Sequence, residues 1–413
     1  MESDGIVKKL TRSESLVPWP RLQSVLADRG LDALVATSHV NVTYLSDFWS
    51  MSQWSRRSAQ VHAVAGVTPE RDVDVVVPAG NADLVYVEGR VPPRRVWVYG
   101  SFVVRGLERV ADGQREAIAF RDALMQESVP TPIEALAKAL ERRGLGASKI
   151  AVEYAGFVDG ALAELSRRLP RASLVSGEEV LRKVREVKSP REIEILRTAA
   201  RNSDQAFAAA ASHACEGMAE REVESLLFSE LVRLGSSPFL SSLTAGARTA
   251  LPNGQAGGYE LQPGDLLRFD GGGRYQLYTS DIARMGIVGR PTERQGRYYA
   301  AMREGLEAAI AATRPGVACS AIFAAAIRAV RANRIPDYER THVGHGIGIE
   351  NYDGPQFTES NDQLLEPGMV ICLETPYYEL GWGGVQAEDT LVVTDNGAER
   401  FTTQPAELVP VGI

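Results

Sequence analysis

The first half of the chain alternates β-branched runs with patterns typical of helices. Val, Tyr and Trp content predicts strands in five segments, DALVATS (32–38), VHAVAGV (61–67), DVDVVVPAG (72–80), ADLVYVEG (82–89) and RVWVYG (95–100). A helix is predicted over 132–144, where apolar residues recur at helical spacing and a glycine closes the run. Strands and helices mixed in this way indicate an α/β domain.

A strongly charged helical stretch follows and is interrupted by a proline. Pro190 can open a new helix with Ser189 as its N-cap. A chain of 413 residues is long for a single core, so two domains are favoured. We therefore predict an N-terminal domain over 1–185 and a C-terminal domain over 186–413.

The second half is dominated by long amphipathic helices and glycine-bearing strand pairs. Helices are predicted over 219–235, 292–312 and 319–333. The strand pairs are LLRFDGGGRYQLYTSDIARMGIVG and PGMVICLETPYYELGWGGVQAEDTLVVT. This order predicts an α+β domain that carries its site on one face of an antiparallel sheet.

Charge and cysteine content narrow the class of protein. A net charge of -8 argues against nucleic acid as a partner, because phosphate binding needs clustered Lys and Arg. No apolar run approaches the roughly 18 residues of a membrane span, and the segment 1–16 lacks the apolar core of a secretory signal. Cys215, Cys319 and Cys372 are odd in number and widely separated. We expect a cytoplasmic protein that binds no membrane.

Five residues in the last third are candidate metal ligands: Asp270, Asp281, His345, Glu374 and Glu388. Four carboxylates and one imidazole suit two adjacent divalent cations, because shared carboxylates offset the repulsion between the ions. Asp270 and Glu374 follow the apolar runs LLRF and VICL, where a lone charge would be costly to bury. A glycine-rich turn at GGGRYQLYTS is predicted to bring the two aspartates together.

The segments FDGGGRYQLYTSDIAR, GHGIGIE, LEPGMVICLETP and GGVQAEDTLVVT resemble the successive signatures of the pita-bread metallopeptidases. That family includes methionine aminopeptidase, prolidase, aminopeptidase P and the metal-free creatinase, and the resemblance spans 188–413. RLQSVLADRGLDALVATSHVNVTYLSDF resembles the N-terminal domain of the prolidase and creatinase branch. The resemblance implies a creatinase-like α/β domain followed by an α+β pita-bread catalytic domain.

The resemblance also implies a ligand set. One ion would be held by Asp281, His345, Glu374 and Glu388, and the second by Asp270, Asp281 and Glu388. Manganese is favoured by the hard ligands, with cobalt, iron or zinc as alternatives. Glu374 matches the carboxylate that moves the proton of the attacking water in these enzymes.

The residues expected around the substrate depart from the family pattern. Asn253 and Tyr352 stand where Xaa-Pro peptidases usually have histidines. Thr341 replaces a third histidine, with His342 displaced by one position, and Gln386 replaces an arginine that helps to hold a substrate carboxylate. His342, Tyr352 and Asn253 are candidates for stabilising a tetrahedral intermediate, and Gln386 for substrate binding.

Trp54 and Arg56 follow the YLSDF segment. In prolidase-like dimers the neighbouring subunit closes over the cleft, so Trp54 can form an apolar wall and Arg56 an anion clamp. The alternative is an exposed basic turn. The resemblance implies a homodimer.

We expect a dinuclear hydrolase that cleaves an amide C–N bond, most readily in Xaa-Pro-type or other small peptides. One alternative is a small-molecule substrate, with hydrolysis of an amide or amidine or a β-elimination, since several substrate-side residues differ. Another is a binding-only homologue. The five retained ligand candidates weigh against that reading, and analysis for bound metal would test it.

Overall fold

The computed structural model describes residues 15–55, 60–67, 72–87, 94–402 and 408–412. The chain divides into two compact units, Met1–Arg185 and Glu186–Ile413.

The N-terminal unit is built on one mixed sheet flanked by helices. Its six strands are β1 (Ala33–Ala36), β2 (His62–Gly66), β3 (Val73–Pro78), β4 (Arg95–Tyr99), β5 (Lys149–Val152) and β6 (Ser173–Ser176). Their spatial order is β4-β3-β2-β1-β5-β6. The neighbours β1–β2 and β2–β3 are antiparallel, and the other pairs are parallel.

The described residues of this unit form seven α-helices, one of them only five residues long, and two 3-10 turns. They are α1 (Trp19–Asp28), α2 (His39–Ser46), α3 (Met51–Ser55), α4 (Arg115–Leu124), α5 (Pro132–Arg142), α6 (Ala161–Arg168) and α7 (Glu178–Arg185), with 3-10 turns at Ala79–Leu84 and Leu107–Arg109. The prediction of an α/β domain is confirmed, as are the helix near 132–144 and four of the five predicted strands.

The strand predicted over 82–89 is wrong for the residues that the structure describes. Ala82, Asp83 and Leu84 belong to the 3-10 helix Ala79–Leu84, and 85–87 are irregular. Residues 88 and 89 lie outside the described residues. Pro78 ends β3 because it has no N–H to donate to the sheet, and the following turn buries Ala79 and Ala82.

The C-terminal unit contains a ten-stranded sheet. The strands are β7 (Ser237–Ala245), β8 (Leu266–Tyr275), β9 (Tyr278–Thr279), β10 (Ile282–Val288), β11 (Gly344–Gly346), β12 (Asp353–Gln356), β13 (Val370–Glu379), β14 (Gly383–Thr394), β15 (Gly397–Arg400) and β16 (Val409–Val411). The main order is β12-β11-β13-β14-β10-β8-β7, and β9, β15 and β16 pair with β8, β14 and β10.

Four long helices accompany this sheet, α8 (Pro190–His213), α9 (Glu220–Arg233), α10 (Glu293–Ala312) and α11 (Cys319–Ala332). As predicted, α8 begins at Pro190, and the Oγ of Ser189 accepts a hydrogen bond from the Glu192 backbone N–H. The Glu192 carboxylate accepts one from the Ser189 N–H at 2.8 Å, so both residues of this buried helix start satisfy each other's backbone N–H groups.

One face of the sheet packs on the helices, and the other carries polar groups. Phe269 is buried in a cluster with α8 and α9, and Leu373 and Ala387 are buried in a cluster with α10 and α11. Successive strand residues point to opposite faces. Their neighbours Asp270 and Glu374 therefore project from the face turned away from the helices.

Among the described residues, no helix has both the length and the apolar composition that a membrane crossing requires.

A histidine lies inside the sheet of the N-terminal unit. His62 on β2 is 0% exposed, and its ring meets Phe157 edge-on, with the ring centroids 5.3 Å apart. Neither ring nitrogen has a hydrogen-bond partner among the described residues. Burial lowers the pKa of His62 from 6.5 to about 3, so the folded unit contains the neutral imidazole.

This burial predicts an acid-sensitive fold. Below about pH 6.5 the unfolded chain gains a proton on His62 that the folded chain refuses until about pH 3. Above about pH 7 His62 is neutral in both states, and it costs the folded protein no stability there. At about pH 5 only the unfolded chain is protonated at His62, so we expect the unfolding free energy to be lower by about 2 kcal/mol than at pH 7. His62→Leu should remove this part of the pH dependence.

Urea unfolding followed by tryptophan fluorescence measures the effect, since four of the five tryptophans precede residue 186. His213 is exposed on α8, so His213→Leu is the control and should keep the wild-type difference between the two pH values. An unchanged pH dependence in His62→Leu would show that the buried imidazole is not its source.

Candidate metal centre

Strand pairing brings the five candidate ligands to one region of the sheet. Glu374 on β13 and Glu388 on β14 are direct cross-strand partners. Asp270 lies on β8 opposite Ala283, which also pairs with Glu388. Asp281 precedes the first residue of β10. His345 on β11 pairs with Cys372 on β13, which lies two residues before Glu374 on the same strand.

The turn between the two aspartates differs from the prediction. Gly271, Gly272 and Gly273 lie inside β8, and the chain reverses at Gln276 and Leu277, which have φ of 48° and 72°. The glycines serve close packing instead. A Cβ at Gly271, where φ is 136°, would lie 2.3 Å from the Leu240 carbonyl oxygen.

The acidic side chains converge within a few ångströms. Oxygen atoms of Asp270, Asp281 and Glu388 lie within 4.8 Å of one another. The Nε2 of His345 lies 3.6 Å from Asp281 Oδ2. The amide Nε2 of Gln386 lies 3.4 Å from both Glu374 Oε2 and Glu388 Oε2, and so joins the remaining carboxylate to the group.

The pKa values reflect this crowding. Burial and the charge of Asp281 raise the pKa of Asp270 to about 7. Burial and the neighbouring acids raise the pKa of Glu388 well above its usual range. Burial also opposes ionisation of Glu374, but the hydrogen bond from His342 and the charge of Arg340 outweigh it and leave the pKa of Glu374 below its ordinary value.

These residues fit divalent cations. Asp281 Oδ2 accepts a hydrogen bond from the Asn351 amide at 2.9 Å, whereas the buried Asp281 Oδ1 has no hydrogen-bond partner among the described residues. Buried carboxylates are normally paired with cations or metals. The donor set of carboxylate oxygens and one imidazole suits harder divalent ions.

His342 reaches the carboxylate side of the site. Its Nε2 lies 2.9 Å from Glu374 Oε1, and its Nδ1 lies 3.2 Å from Thr341 Oγ1. Tyr352 is 58% exposed, but its ring stacks on the His345 imidazole with centroids 4.0 Å apart. It therefore covers the imidazole of this candidate ligand on one side.

The other substrate-side candidates have different surroundings. Asn253 lies on an exposed loop after the 3-10 helix Gly246–Ala250. Gln386 is buried against Glu374 and Glu388. Trp54 lies on α3 of the N-terminal unit, where its ring meets that of His39 with centroids 4.4 Å apart. Arg56 lies outside the described residues.

The structure adds polar residues that sequence reasoning missed. Arg268 donates to Asp270 Oδ2 at 3.1 Å, Asn351 donates to Asp281, and the Tyr378 hydroxyl donates to Gln386 Oε1 at 3.0 Å. A signal for Arg268 was available, because a charged residue within the apolar run LLRF, two positions before Asp270, must share its strand face.

A buried ion-pair network lies beside the ligands. The Nε of Arg284 donates to Asp204 at 2.7 Å and its Nη2 donates to Asp389 at 2.8 Å. Its Nη1 donates to the backbone carbonyl of Glu388 at 2.7 Å. Arg284 therefore fixes the backbone that carries one of the glutamates.

Comparison with known proteins agrees with this geometry. Residues 194–395 match Metallopeptidase family M24, and residues 19–187 match the Creatinase/Prolidase N-terminal domain. A putative dipeptidase of Bacillus subtilis, YkvY, is 31% identical over 314 residues, which are 75% of this chain and 85% of the relative. An Xaa-Pro dipeptidase of Pyrococcus horikoshii is 29% identical over 346 residues, 82% of this chain and 95% of the relative.

Solved structures share the architecture. The prolidase from Pyrococcus horikoshii superposes with a TM-score of 0.73 at 26% identity, covering 95% of this chain and 99% of that one. An X-Pro aminopeptidase from Thermotoga maritima has the same TM-score of 0.73 at 21% identity, covering 95% of this chain and 99% of that one, a likeness of fold.

The chain belongs to metallopeptidase family M24 and carries the creatinase/prolidase N-terminal domain. It is a metal-dependent, prolidase-like peptidase.

The crowded carboxylates predict opposite effects of one substitution with and without metal. In the metal-free protein the raised pKa of Glu388 means that stability is lost as pH rises above the ordinary glutamate range. Glu388→Gln should therefore raise the unfolding free energy of the metal-free protein at about pH 8, by on the order of 1 kcal/mol. It should also abolish most of the stabilisation that added Mn²⁺ gives the wild type.

Thermal unfolding with chelator or with Mn²⁺ measures both effects. Glu359 is exposed, so Glu359→Gln is the control and should behave as the wild type in both conditions. Full stabilisation of Glu388→Gln by Mn²⁺ would remove Glu388 from the ligand set.

Proposed function

We propose that the chain is a two-cation peptidase that cleaves the amide bond of short Xaa-Pro peptides. The proposal includes Mn²⁺ as the preferred ion, a homodimer as the working assembly and a cytoplasmic location. Hard carboxylate ligands favour Mn²⁺ over softer ions, and the three cysteines are free thiols, as is usual in a reducing compartment.

The convergence of five ligand-type side chains in one region of the sheet carries the proposal, together with the buried Asp281 Oδ1, which has no hydrogen-bond partner among the described residues. Asp281 and Glu388 lie at the centre of the group, since each of them is close to both Asp270 and His345. Asp281 and Glu388 would help to hold both cations, one together with His345 and Glu374 and the other together with Asp270. When bound, two divalent cations supply an activated water and a Lewis acid for the substrate carbonyl.

Glu374 is the proposed proton acceptor. Its Oε1 faces His342 at 2.9 Å, and its Oε2 faces the Gln386 amide at 3.4 Å. Both oxygens are thus oriented by side chains outside the ligand set. A proton taken up by Glu374 lies within hydrogen-bond distance of His342, which can pass it towards the leaving amine.

Tyr352 and Asn253 are proposed to contact the substrate. Tyr352 offers a hydroxyl next to the His345 ring, where a donor can stabilise a developing oxyanion. Asn253 offers an amide on an exposed loop. Both replace histidines, and this observation favours the second candidate function, hydrolysis or elimination on a small non-peptide substrate. The names of the relatives, which include Xaa-Pro dipeptidases, favour peptides.

The deciding experiment uses the full chain, freed of metal with chelator and reloaded separately with Mn²⁺, Co²⁺, Fe²⁺ or Zn²⁺. Xaa-Pro dipeptides, longer Xaa-Pro peptides and matched Xaa-Ala peptides are the substrates. We expect turnover of Xaa-Pro peptides, highest with Mn²⁺, and none by an Asp281→Asn variant. Absence of turnover with all four ions would rule out the peptide substrate and leave the small-molecule alternative.

The role of His342 predicts a separable effect on turnover. Because His342 orients Glu374 without belonging to the proposed ligand set, His342→Gln should lower kcat by about 100-fold while the bound metal per chain stays at the wild-type value. Steady-state kinetics and elemental analysis on the same samples measure the two quantities.

Thr341→Ala is the matched control, because Thr341 is the exposed neighbour and its hydroxyl lies against the imidazole nitrogen that does not contact Glu374. It should change kcat by less than about threefold. Loss of metal from His342→Gln would instead make His342 part of the metal site.

A further inference from the structure

A guanidinium is buried beside the carboxylate cluster. Arg268 is 0% exposed and lies in the middle of β8, on the same strand face as Asp270. Its position two residues before the aspartate brings the two side chains together, and their ion pair has a length of 3.1 Å. A fully buried arginine requires acceptors for its fixed fork of donors.

The Nη1 group of Arg268 faces the metal side. It donates to Gln386 Oε1 at 2.9 Å, to Asp270 Oδ2 at 3.1 Å and to the Tyr378 hydroxyl at 3.3 Å. Arginine has no acceptor, so the carbonyl oxygen of Gln386 must point towards it. The amide nitrogen of Gln386 then points towards Glu374 and Glu388.

The Nη2 group of Arg268 faces the substrate loop. It donates to the backbone carbonyls of Leu251 at 2.6 Å and Pro252 at 2.8 Å, and to Ser242 Oγ at 2.8 Å. The next residue of this loop is Asn253. The Arg268 guanidinium therefore contacts the proposed ligand Asp270, the amide of Gln386, and the backbone of the loop that leads to Asn253.

Lysine cannot replace this arrangement. A lysine ammonium has three donors at a single nitrogen, whereas Arg268 serves six acceptor atoms from two nitrogens of a rigid plane. The charge alone would still attract Asp270. The orientation of Gln386 and the attachment of the loop depend on the shape of the guanidinium.

We propose that Arg268 is a positioning residue for the metal centre, and that Arg268 and Gln386 form an exchangeable pair in which one guanidinium must occupy the space beside Asp270 and Tyr378. The inference rests on the proposed two-cation site. Its support is the direct contact between the two side chains, since an arginine at either position would end near the same aspartate and tyrosine.

The exchange is tested with Arg268→Met, Gln386→Arg and the double variant that carries both substitutions. Isothermal titration of the metal-free full chain with Mn²⁺ measures the number and affinity of bound ions. Arg268→Met should weaken the weaker-bound ion by at least about tenfold, because Asp270 and Gln386 lose their common partner. Gln386→Arg should weaken it as well, because two guanidiniums then compete for one space.

The double variant should recover Mn²⁺ affinity to within about threefold of the wild type, a coupling that independent sites do not show. Arg274→Met is the matched control, because Arg274 lies on the same strand with its guanidinium over the Phe239 ring, and it should bind Mn²⁺ as the wild type does. The melting temperature of each metal-free protein reports folding separately.

A double variant that binds Mn²⁺ no better than the weaker single variant would overturn the exchange, and unchanged Mn²⁺ binding by Arg268→Met would overturn the positioning role. If Arg268→Met does not fold, Arg268→Lys takes its place. Weakened Mn²⁺ binding by Arg268→Lys would support the positioning role, and wild-type Mn²⁺ binding would overturn it. Wild-type Mn²⁺ binding and peptide turnover test the proposed function itself, so the two failures are distinguishable.

Discussion

Four carboxylates are held within one small region of a buried sheet face, and their mutual repulsion is the constraint on which the catalytic unit is built. Burial and like charges raise the pKa values of Asp270 and Glu388, so the arrangement is unfavourable by itself. The two divalent cations that we propose for this site would reverse the sign of that interaction. A fold that keeps these acids together without cations must stabilise them elsewhere, through the helices behind the sheet and through hydrogen bonds at its polar face.

Different buried arginines stabilise the acids on different strands. Arg284 forms ion pairs with Asp204 and Asp389 and donates to the backbone carbonyl of Glu388. Arg268 pairs with Asp270 at the other end of the cluster. The cross-strand pairing of Glu374 with Glu388 sets the separation of the two glutamates. The spacing of the candidate ligands therefore follows from strand register, and the two buried arginines pair with acids on the strands that carry them.

The sequence was informative where local chemistry decides structure. Pro190 and Ser189 predicted the start of α8, and β-branched runs predicted four strands of the first sheet. Prediction was wrong where tertiary packing decides. The run ADLVYVEG has strand composition, but Ala79–Leu84 forms a 3-10 helix after Pro78. The glycines after Asp270 suggested a turn, yet they lie within β8 because neighbouring backbone leaves no space for a Cβ.

For the site, motif order named the candidate ligands, and the structure brings them together. Their roles are proposals, as are those of Asn253 and Tyr352. The contact of His342 with Glu374 could not be decided from the sequence, since strand alternation can turn a side chain to either face. Arg268 has one partner close in sequence, Asp270, but its contacts with Gln386 and Leu251 join separate segments of the chain and could not be predicted from the sequence.

The contact between Arg268 and Gln386 has a consequence for the history of this lineage. A chain with arginine at both positions would place like charges side by side, and a chain with neither would leave buried acceptors without a donor. A lineage moving between the two arrangements by single substitutions passes through one of these states. The identity of residue 268 therefore constrains which residues selection can accept at 386, and the two alternatives should mark separate branches of descent.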